Sequence, residues 1–339
     1  MKAVGLYRNL PMDDAESLVD LDVPKPAPAT RELLVEVKAI SVNPVDYKIR
    51  ARPDPSAPQP RILGWDASGI VREVGAGVQL FKPGDEVYYA GSIQKPGANS
   101  EYHVVDERIV GHKPRTLGFA AAAALPLTTL TAWEGLFDRF EIASSGTDRG
   151  KSVLLIGAAG GVGSIAIQLA KKLAGLRVVG TASRPESAQW AKELGADAVV
   201  DHTGDLAAQM KAAGIPEADY VFCLTDATPY FPRFAPIIRP QGKLCLIVSM
   251  SEPVQLTPLM QKNVSIHWEF MFTRSLFQTP DMQRQHEILE AAAKLIDNGT
   301  LRTTLAESLG PINAANLRRA HQLLERGRTI GKLVLEGFN

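Results

Sequence analysis

Cysteine is scarce in this chain: there are two among 339 residues, Cys223 and Cys245. So small a number excludes a disulfide framework and any metal lobe that needs four clustered cysteines. The six histidines are scattered, with no H-x-x-x-H pair. Net charge is absent as well, because 37 Lys+Arg balance 37 Asp+Glu. The basic surplus or stripe of a phosphate-backbone binder is therefore missing, and nucleic acid is not an expected partner. No run approaches the ~20 apolar residues of a membrane span; the alanine run at 120–124 is far too short. The opening MKAVGLYRNL has no apolar stretch of signal-peptide length. A cytoplasmic protein without a membrane partner is the expectation.

What is present suits a globular chain, with 45% hydrophobic and 22% charged residues. The length fits two domains better than one. The first third reads as strands and turns: ELLVEVKAISVN, ASGIVREVGAGV and GDEVYYAG are short and glycine-punctuated. The proline-rich RPDPSAPQP, residues 52–60, reads as a surface loop. The texture then changes. LGFAAAAALPLTTLTAWEGLFDRF is helical in composition, with Pro126 as a break or kink. From Lys151 onward strands and helices alternate: SVLLIG, a helix over residues 164–174, RVVGTAS, PESAQWAKELGA, AVVD, YVFCLT, KLCLIVSM and SIHWEFMF. This order predicts βαβ units and a parallel, doubly wound sheet. MQRQHEILEAAAKLIDNGTL predicts a helix stopped by Asn298-Gly299. The final KLVLEGF is a strand without a helical successor, free to return to the first domain.

The segment LLIGAAGGVGSIAIQLAKKLA carries the first chemistry. Gly157, Gly160 and Gly163 are spaced G-x-x-G-x-x-G, with Gly161 in addition. The loop, with Val162 inside it, follows an apolar strand and precedes the helix. There, glycines permit a tight turn and close approach of a pyrophosphate to the helix N-terminus. The next strand discriminates between dinucleotides. An NAD site ends it with Asp or Glu for the ribose 2′-hydroxyl. Here the tip is Ser183-Arg184, with no carboxylate before Glu186. A guanidinium grips a 2′-phosphate, so the expected cofactor is NADP(H).

These motifs, with SVNPVDYKIR, ILGWDASGIVREVGAGV, FKPGDEVY, LPLTTLTAWEGL, LGADAVVD and GKLVLEGF in the same order, carry a resemblance nearly end to end. The chain resembles the medium-chain dehydrogenase/reductases, in particular the quinone oxidoreductase branch and the zinc-type alcohol dehydrogenase-like proteins near it. The resemblance implies an α/β protein: a GroES-like β-rich catalytic domain (1–124), a Rossmann doubly wound parallel-sheet domain (125–281), and a C-terminal return to the catalytic domain (282–339). It also implies a nicotinamide cofactor in the cleft between the domains.

In the zinc-using branch a Cys, a His and a second Cys hold the catalytic metal. Those positions match Asn43, Trp65 and Leu127, none of which is a normal zinc ligand. Asp46 and Asp66 lie close in sequence but do not restore a tetrahedral N/S site. No metal is therefore expected. Without a Lewis acid, hydride transfer to a quinone or an α,β-unsaturated carbonyl remains feasible, because the conjugated system spreads the arriving charge.

The candidate catalytic residues are Asn43, as an amide donor, Tyr47 and Lys48, as proton donors, and Trp65, as a stacking group or a plug at the vacant metal position. Many quinone reductases place a tyrosine two residues after the aspartate that matches Asp46; here Lys48 holds that place and Tyr47 precedes it. Cofactor contacts are expected from Asn43, from Thr131, which matches a threonine that packs on the nicotinamide, and from the glycine loop and Ser183-Arg184. Strand ends at Leu224, Val248, Ser249, Phe270 and Phe272 should add contacts, and Lys332 is placed to reach the cofactor from the C-terminal segment. Two rival readings stay open: an alcohol dehydrogenase with an unorthodox metal site, and a non-catalytic NADPH-binding sensor or crystallin-like structural protein. Relatives pair through Rossmann edge strands, so a homodimer or higher homo-oligomer is expected, with SIHWEFMF as the edge. Residues 50–60 and EFMFTRSLFQTPDM are expected to shape the substrate pocket.

Overall fold

The computed structural model describes residues 1–52, 59–143 and 146–338. The proline-rich loop lies largely outside these residues. The chain divides into two compact units, Met1–Leu130 with Phe272–Asn339, and Thr131–Met271. The sequence boundaries expected at 124/125 and 281/282 thus differ from the contact boundaries, which fall at 130/131 and 271/272.

The first unit is β-rich. Among the described residues it contains a seven-stranded and a three-stranded sheet. The strand Glu32–Ser41 is the hub of the larger one. It pairs antiparallel with Ala67–Val74 along most of its length, with Tyr102–Asp106 over its first half, and with Lys332–Glu336 over its end. Both of its ends carry consecutive buried residues, whereas at its middle the partly exposed Glu36 and Lys38 alternate with buried Val35, Val37 and Ala39. Leu33, Leu34, Val35 and Ile40 are fully buried. The register matters for the site: Ile40 faces Ala67 and Ser41 faces Val334. That pairing brings Asn43, Asp66 and Lys332, each just outside a strand end or at its start, to the same end of the sheet. The C-terminal strand thereby joins the sheet of the N-terminal segment.

The second unit holds six parallel strands. Their order starts from Ala198–Val200 and runs through Arg177–Thr181, Ser152–Ile156, Ala218–Cys223 and Ile238–Leu246 to Ser265–Trp268. Numbered by their appearance in the chain they stand 3-2-1-4-5-6, the doubly wound order, whose reversal of winding creates the binding crevice beyond strand 1. The first strand is buried at all five residues, as a central parallel strand must be. Helices on the flanks cover its core of Leu154, Ile156, Val221, Phe231, Phe234 and Leu244. The helix after the glycine loop begins at Gly161 and ends at Lys172, earlier at both ends than the expected 164–174. Its first turn is built from the glycines, whose neutral side-chain pattern hid the start. Pro126 breaks the helical stretch by ending one helix, Phe119–Ala123, and opening another, Pro126–Trp133. Its missing N–H costs nothing in a first turn. The second helix widens into a π-helical turn, Glu134–Arg139. Ser265–Trp268 is the sheet's edge strand. No helix of the described residues is long and apolar enough to cross a membrane.

Candidate functional site

The glycine loop is shaped as its spacing requires. Gly157 sits at φ +85°, a conformation open to glycine, and its N–H donates to Thr181 Oγ1 at 3.0 Å. The second strand of the sheet thus steadies the loop of the first. A Cβ on Gly163 would lie 2.4 Å from the Ala158 carbonyl oxygen, so this glycine serves the helix–loop contact. A Cβ on Gly160 would meet nothing nearer than the Gly157 carbonyl oxygen at 3.5 Å. Gly160 is thus not required by the protein's own packing, and the space beside it is the kind of cradle a pyrophosphate would use. Gly157, Gly160, Gly161 and Val162 are partly exposed, whereas Gly163 is buried. Leu224 follows the fourth strand and is tied by its N–H to the Ile156 carbonyl at 3.0 Å. Ser183 is exposed and Arg184 half-buried at the tip after the second strand, where Arg184 is the N-cap residue of the helix Pro185–Leu194. Val248 and Ser249 lie beyond the end of the fifth strand. Thr131 is buried, as is Phe272, while Phe270 is 45% exposed.

The other expected residues gather in the first unit. Asn43 is the N-cap of the short helix Pro44–Arg50, and its backbone N–H donates to Asp46 Oδ2 at 2.5 Å. Its side-chain amide, buried at 2% exposure, donates to Asp66 Oδ2 at 2.8 Å and lies 3.3 Å from the Trp65 carbonyl. Its Oδ1 accepts from the Lys332 ammonium. The same ammonium donates to the Val42 carbonyl at 2.8 Å and to Asp66 Oδ2 at 2.9 Å. Asp66 Oδ1 accepts the backbone N–H of Leu127 at 2.8 Å, in the first turn of the helix Pro126–Trp133. Burial pushes the Asp66 carboxyl upward, while the ammonium and the Asn43 amide hold it down. With three donors and no acceptor around it, this carboxylate is set up as an anion. Asp46, also buried, is pushed up to about 7 by burial and by the nearby Asp66 charge, against the Asn43 N–H and the Lys332 ammonium. Its Oδ1 has no hydrogen-bond partner.

Trp65 is buried, and its indole N–H donates to the Ser92 carbonyl at 3.1 Å. Tyr47 is half-buried and Lys48 exposed, one turn into the same helix. Burial and Glu325 raise the Tyr47 hydroxyl pKa, so it stays protonated near neutrality. The Lys332 side chain, expected to reach the cofactor, is instead enclosed by Val42, Asn43 and Asp66. The Asn43 amide, expected to serve a substrate, is occupied within the same network.

These donors do not fit zinc. Zinc takes thiolate, imidazole or carboxylate in tetrahedral array. Asn43, Trp65 and Leu127 offer an amide, an indole N–H and a backbone N–H, all already bonded, beside a buried ammonium that repels a dication. Among the described residues no group of three or more His, Cys, Asp and Glu is disposed to hold a metal. Both cysteines lie buried in strands of the other unit, and burial pushes the Cys223 thiol up to about 12 and that of Cys245 higher still.

One cluster has no sequence signal. Glu134 and Glu269, each 1% exposed, lie close enough for the Glu134 charge to raise the Glu269 carboxyl; Arg139 Nε donates to Glu269 Oε2 at 2.8 Å, and Glu269 Oε1 has no hydrogen-bond partner. The residues come from the π-helical turn and from just beyond the edge strand. A further cavity of ≈ 440 Å³ in the first unit is lined by the ion pairs Lys95–Glu32 and Arg108–Asp106, by His103, and by Ser275, Gln278 and Met282 of the segment expected to shape the substrate pocket; it contains none of the candidate catalytic or cofactor residues.

Residues 29–129 match the family model of the alcohol dehydrogenase GroES-like domain, and residues 161–290 that of the zinc-binding dehydrogenases. A zinc-type alcohol dehydrogenase-like protein of Staphylococcus aureus (strain MSSA476) is 42% identical over 99% of both chains. The crystal structure of a protein proposed to be a zinc-dependent alcohol dehydrogenase, from Rhizobium etli CFN 42, is 51% identical, with a TM-score of 0.96 over 100% of this chain and 98% of that one. Escherichia coli quinone oxidoreductase, solved in complex with NADPH, is 28% identical, with a TM-score of 0.83 over 99% of this chain and 100% of that one. Two folded units of the expected kinds, a dinucleotide-type glycine loop and end-to-end identity with these proteins lead to one conclusion: the chain belongs to the medium-chain dehydrogenase/reductase superfamily of oxidoreductases.

Proposed function

We propose that this chain is a zinc-independent, NADPH-dependent reductase of quinones or α,β-unsaturated carbonyls. The observation that carries the reading is the knot of Asn43, Asp66 and Lys332, which stands where zinc-using relatives keep their ligands and offers no open coordination position. An alcohol oxidation lacks its usual means of stabilising an alkoxide there, whereas a conjugated acceptor delocalises its own charge. The E. coli quinone oxidoreductase and its NADPH support this choice.

The nicotinamide, when bound, supplies the hydride. Gly157, Gly160, Gly161, Val162 and Gly163 hold the pyrophosphate through the helix N-terminus, and Thr181 keeps that loop in shape. Ser183 and Arg184 take the 2′-phosphate, with Arg184 as its cationic partner. Leu224, Val248 and Ser249 line the strand ends. On the acceptor side, Trp65 supplies a fixed aromatic wall. Tyr47, a hydroxyl kept protonated by burial and Glu325, and Lys48 are the candidate donors of the proton that completes the reduction.

The test is a panel of quinones, enones and simple alcohols or aldehydes with NADPH and NADH, followed by cofactor absorbance. Turnover of a quinone or enone with NADPH is expected. Arg184→Ala should raise the Kd for NADPH at least tenfold while leaving that for NADH within about twofold. Turnover confined to alcohols, or equal losses for both cofactors, defeats the reading.

A homodimer through the edge strand is part of the same proposal. Ile266, Trp268 and Phe270 alternate along Ser265–Trp268 and just beyond it, at 36%, 52% and 45% exposure. An apolar, unpaired edge of this kind is a template for pairing. Sedimentation equilibrium should give a dimer for the wild type and a monomer–dimer mixture for Trp268→Lys; a wild-type monomer at micromolar concentration refutes the pairing.

A further inference from the structure

Lys332 opens the last strand, yet it is 3% exposed. A lysine ammonium has three donors and no acceptor. Here all three are used inside the protein, on the Val42 carbonyl, on Asn43 Oδ1 and on Asp66 Oδ2. Nothing remains for a substrate oxygen. Asp66, fully buried, is equally committed: Oδ2 takes the ammonium and the Asn43 amide, and Oδ1 takes the Leu127 N–H. Four separate chain segments therefore meet at one buried ion pair. They are the end of the strand Glu32–Ser41, the residue before the strand Ala67–Val74, the first turn of the helix Pro126–Trp133, and the C-terminal strand. Three of these four supply the positions that match the metal ligands of zinc-using relatives, Asn43, Trp65 and Leu127.

We propose that Lys332 is a positioning residue whose ammonium performs the tethering task of a metal ion in this fold and keeps a divalent cation out. A tetrahedral ammonium and a tetrahedral metal can each gather three or four groups from separate segments around one centre. They differ in what is left over. A catalytic metal keeps an open position for a substrate oxygen, whereas this ammonium keeps none. Lys332 thus holds Asn43, Trp65 and the helix start in place and leaves polarisation and proton donation to other groups. The inference rests on the metal-free part of the proposed function and not on the identity of the acceptor, and two of its three tests need no turnover.

The first test is a double-mutant cycle on the full chain, read by melting temperature. Lys332→Met leaves the Asp66 carboxylate buried without its cation, and Asp66→Asn leaves the ammonium without its anion. Each single change is expected to lower Tm by more than about 10 °C. The double variant removes both charges and should recover at least half of the Lys332→Met loss, a coupling that separates an ion-pair tether from simple packing. If Lys332→Met does not fold, a folded double variant establishes the coupling; additive losses, or a double variant as unstable as the single, overturn the tether. The second test is metal content: elemental analysis should find less than about 0.1 zinc per chain, and millimolar Zn²⁺ should not raise Tm. One firmly bound zinc per chain overturns the exclusion. The third uses an acceptor found in the panel. Lys332→Met should lower kcat at least tenfold with the NADPH Kd changed by less than threefold. A parallel loss in both reduces Lys332 to a general structural role and overturns the positioning. Absence of turnover with every acceptor refutes the reductase reading and leaves the first two tests to decide this one.

Discussion

Gly163→Ala is expected to lower Tm by about 5–10 °C, while Gly160→Ala, three residues away in the same loop, changes it by about 2 °C and weakens NADPH binding at least tenfold. The two glycines look alike in sequence, and the difference is steric. A Cβ at Gly163 would come within 2.4 Å of the Ala158 carbonyl oxygen and 2.6 Å of its carbon. These are backbone atoms of the loop itself, so the clash is relieved only by moving the loop away from the helix. Overpacking of this kind costs about 1–3 kcal/mol, and more against backbone. A Cβ at Gly160 has the Gly157 carbonyl oxygen at 3.5 Å as its nearest neighbour. The backbone there, φ −72° and ψ 177°, suits any residue. What an alanine loses is a few tenths of a kcal/mol to about 1 kcal/mol of N-cap preference. Any larger defect in Gly160→Ala therefore reports on the ligand that must approach that backbone. Thermal denaturation and NADPH titration of both variants decide the matter. If Gly160→Ala binds NADPH as tightly as the wild type, the pyrophosphate does not lie where we place it.

Glu269→Gln is expected to flatten the pH dependence of stability, raising Tm at pH 8 by about 5 °C relative to the wild type while changing it little at pH 5. Burial and the adjacent Glu134 push the Glu269 carboxyl up to about 9, and Arg139 only partly offsets them. The proton belongs to the Glu134–Glu269 pair as a unit. A carboxyl whose folded pKa is raised binds its proton in the folded state and releases it on unfolding. Its contribution is fully present below the ordinary carboxylate pKa and is lost as pH rises from there towards 9. Each pH unit in that window removes up to about 1.4 kcal/mol. Glutamine copies the uncharged, protonated form: its carbonyl still accepts from Arg139, and its amide places no negative charge beside Glu134. The variant therefore keeps the Arg139 hydrogen bond and drops the titration. Melting curves of both proteins from pH 5 to 8.5 check this. Parallel Tm profiles would show that the pair carries no shared proton in the folded protein.

The fold was legible because it depends on local physics. Apolar runs of five or six residues separated by helical periodicity can build little other than a parallel sheet, and a glycine loop between strand and helix marks its first turn. The end of the chain could be read as a returning strand because KLVLEGF has no helix after it. The resemblance to a known family rested on motifs spread along the whole chain, and the family comparison bears it out. The candidate site was legible only as a set of positions. The resemblance matched Asn43, Trp65 and Leu127 to metal-ligand positions, but nothing in the sequence said which groups these residues would meet.

Sequence by itself determined the two architectures and the dinucleotide-type loop, since each follows from residue types at short spacing. Tertiary structure alone decided which charges meet. Lys332 lies 289 residues from Asn43 and 266 from Asp66, and Arg139 lies 130 from Glu269. A lysine that will be solvated and one that will be buried on an aspartate have the same chemistry in the unfolded chain. The difference arises from strand register, which sets Ser41 opposite Val334 and Ile40 opposite Ala67. Once those pairs form, the ammonium is withdrawn from water at the one place where three acceptors can replace its hydration.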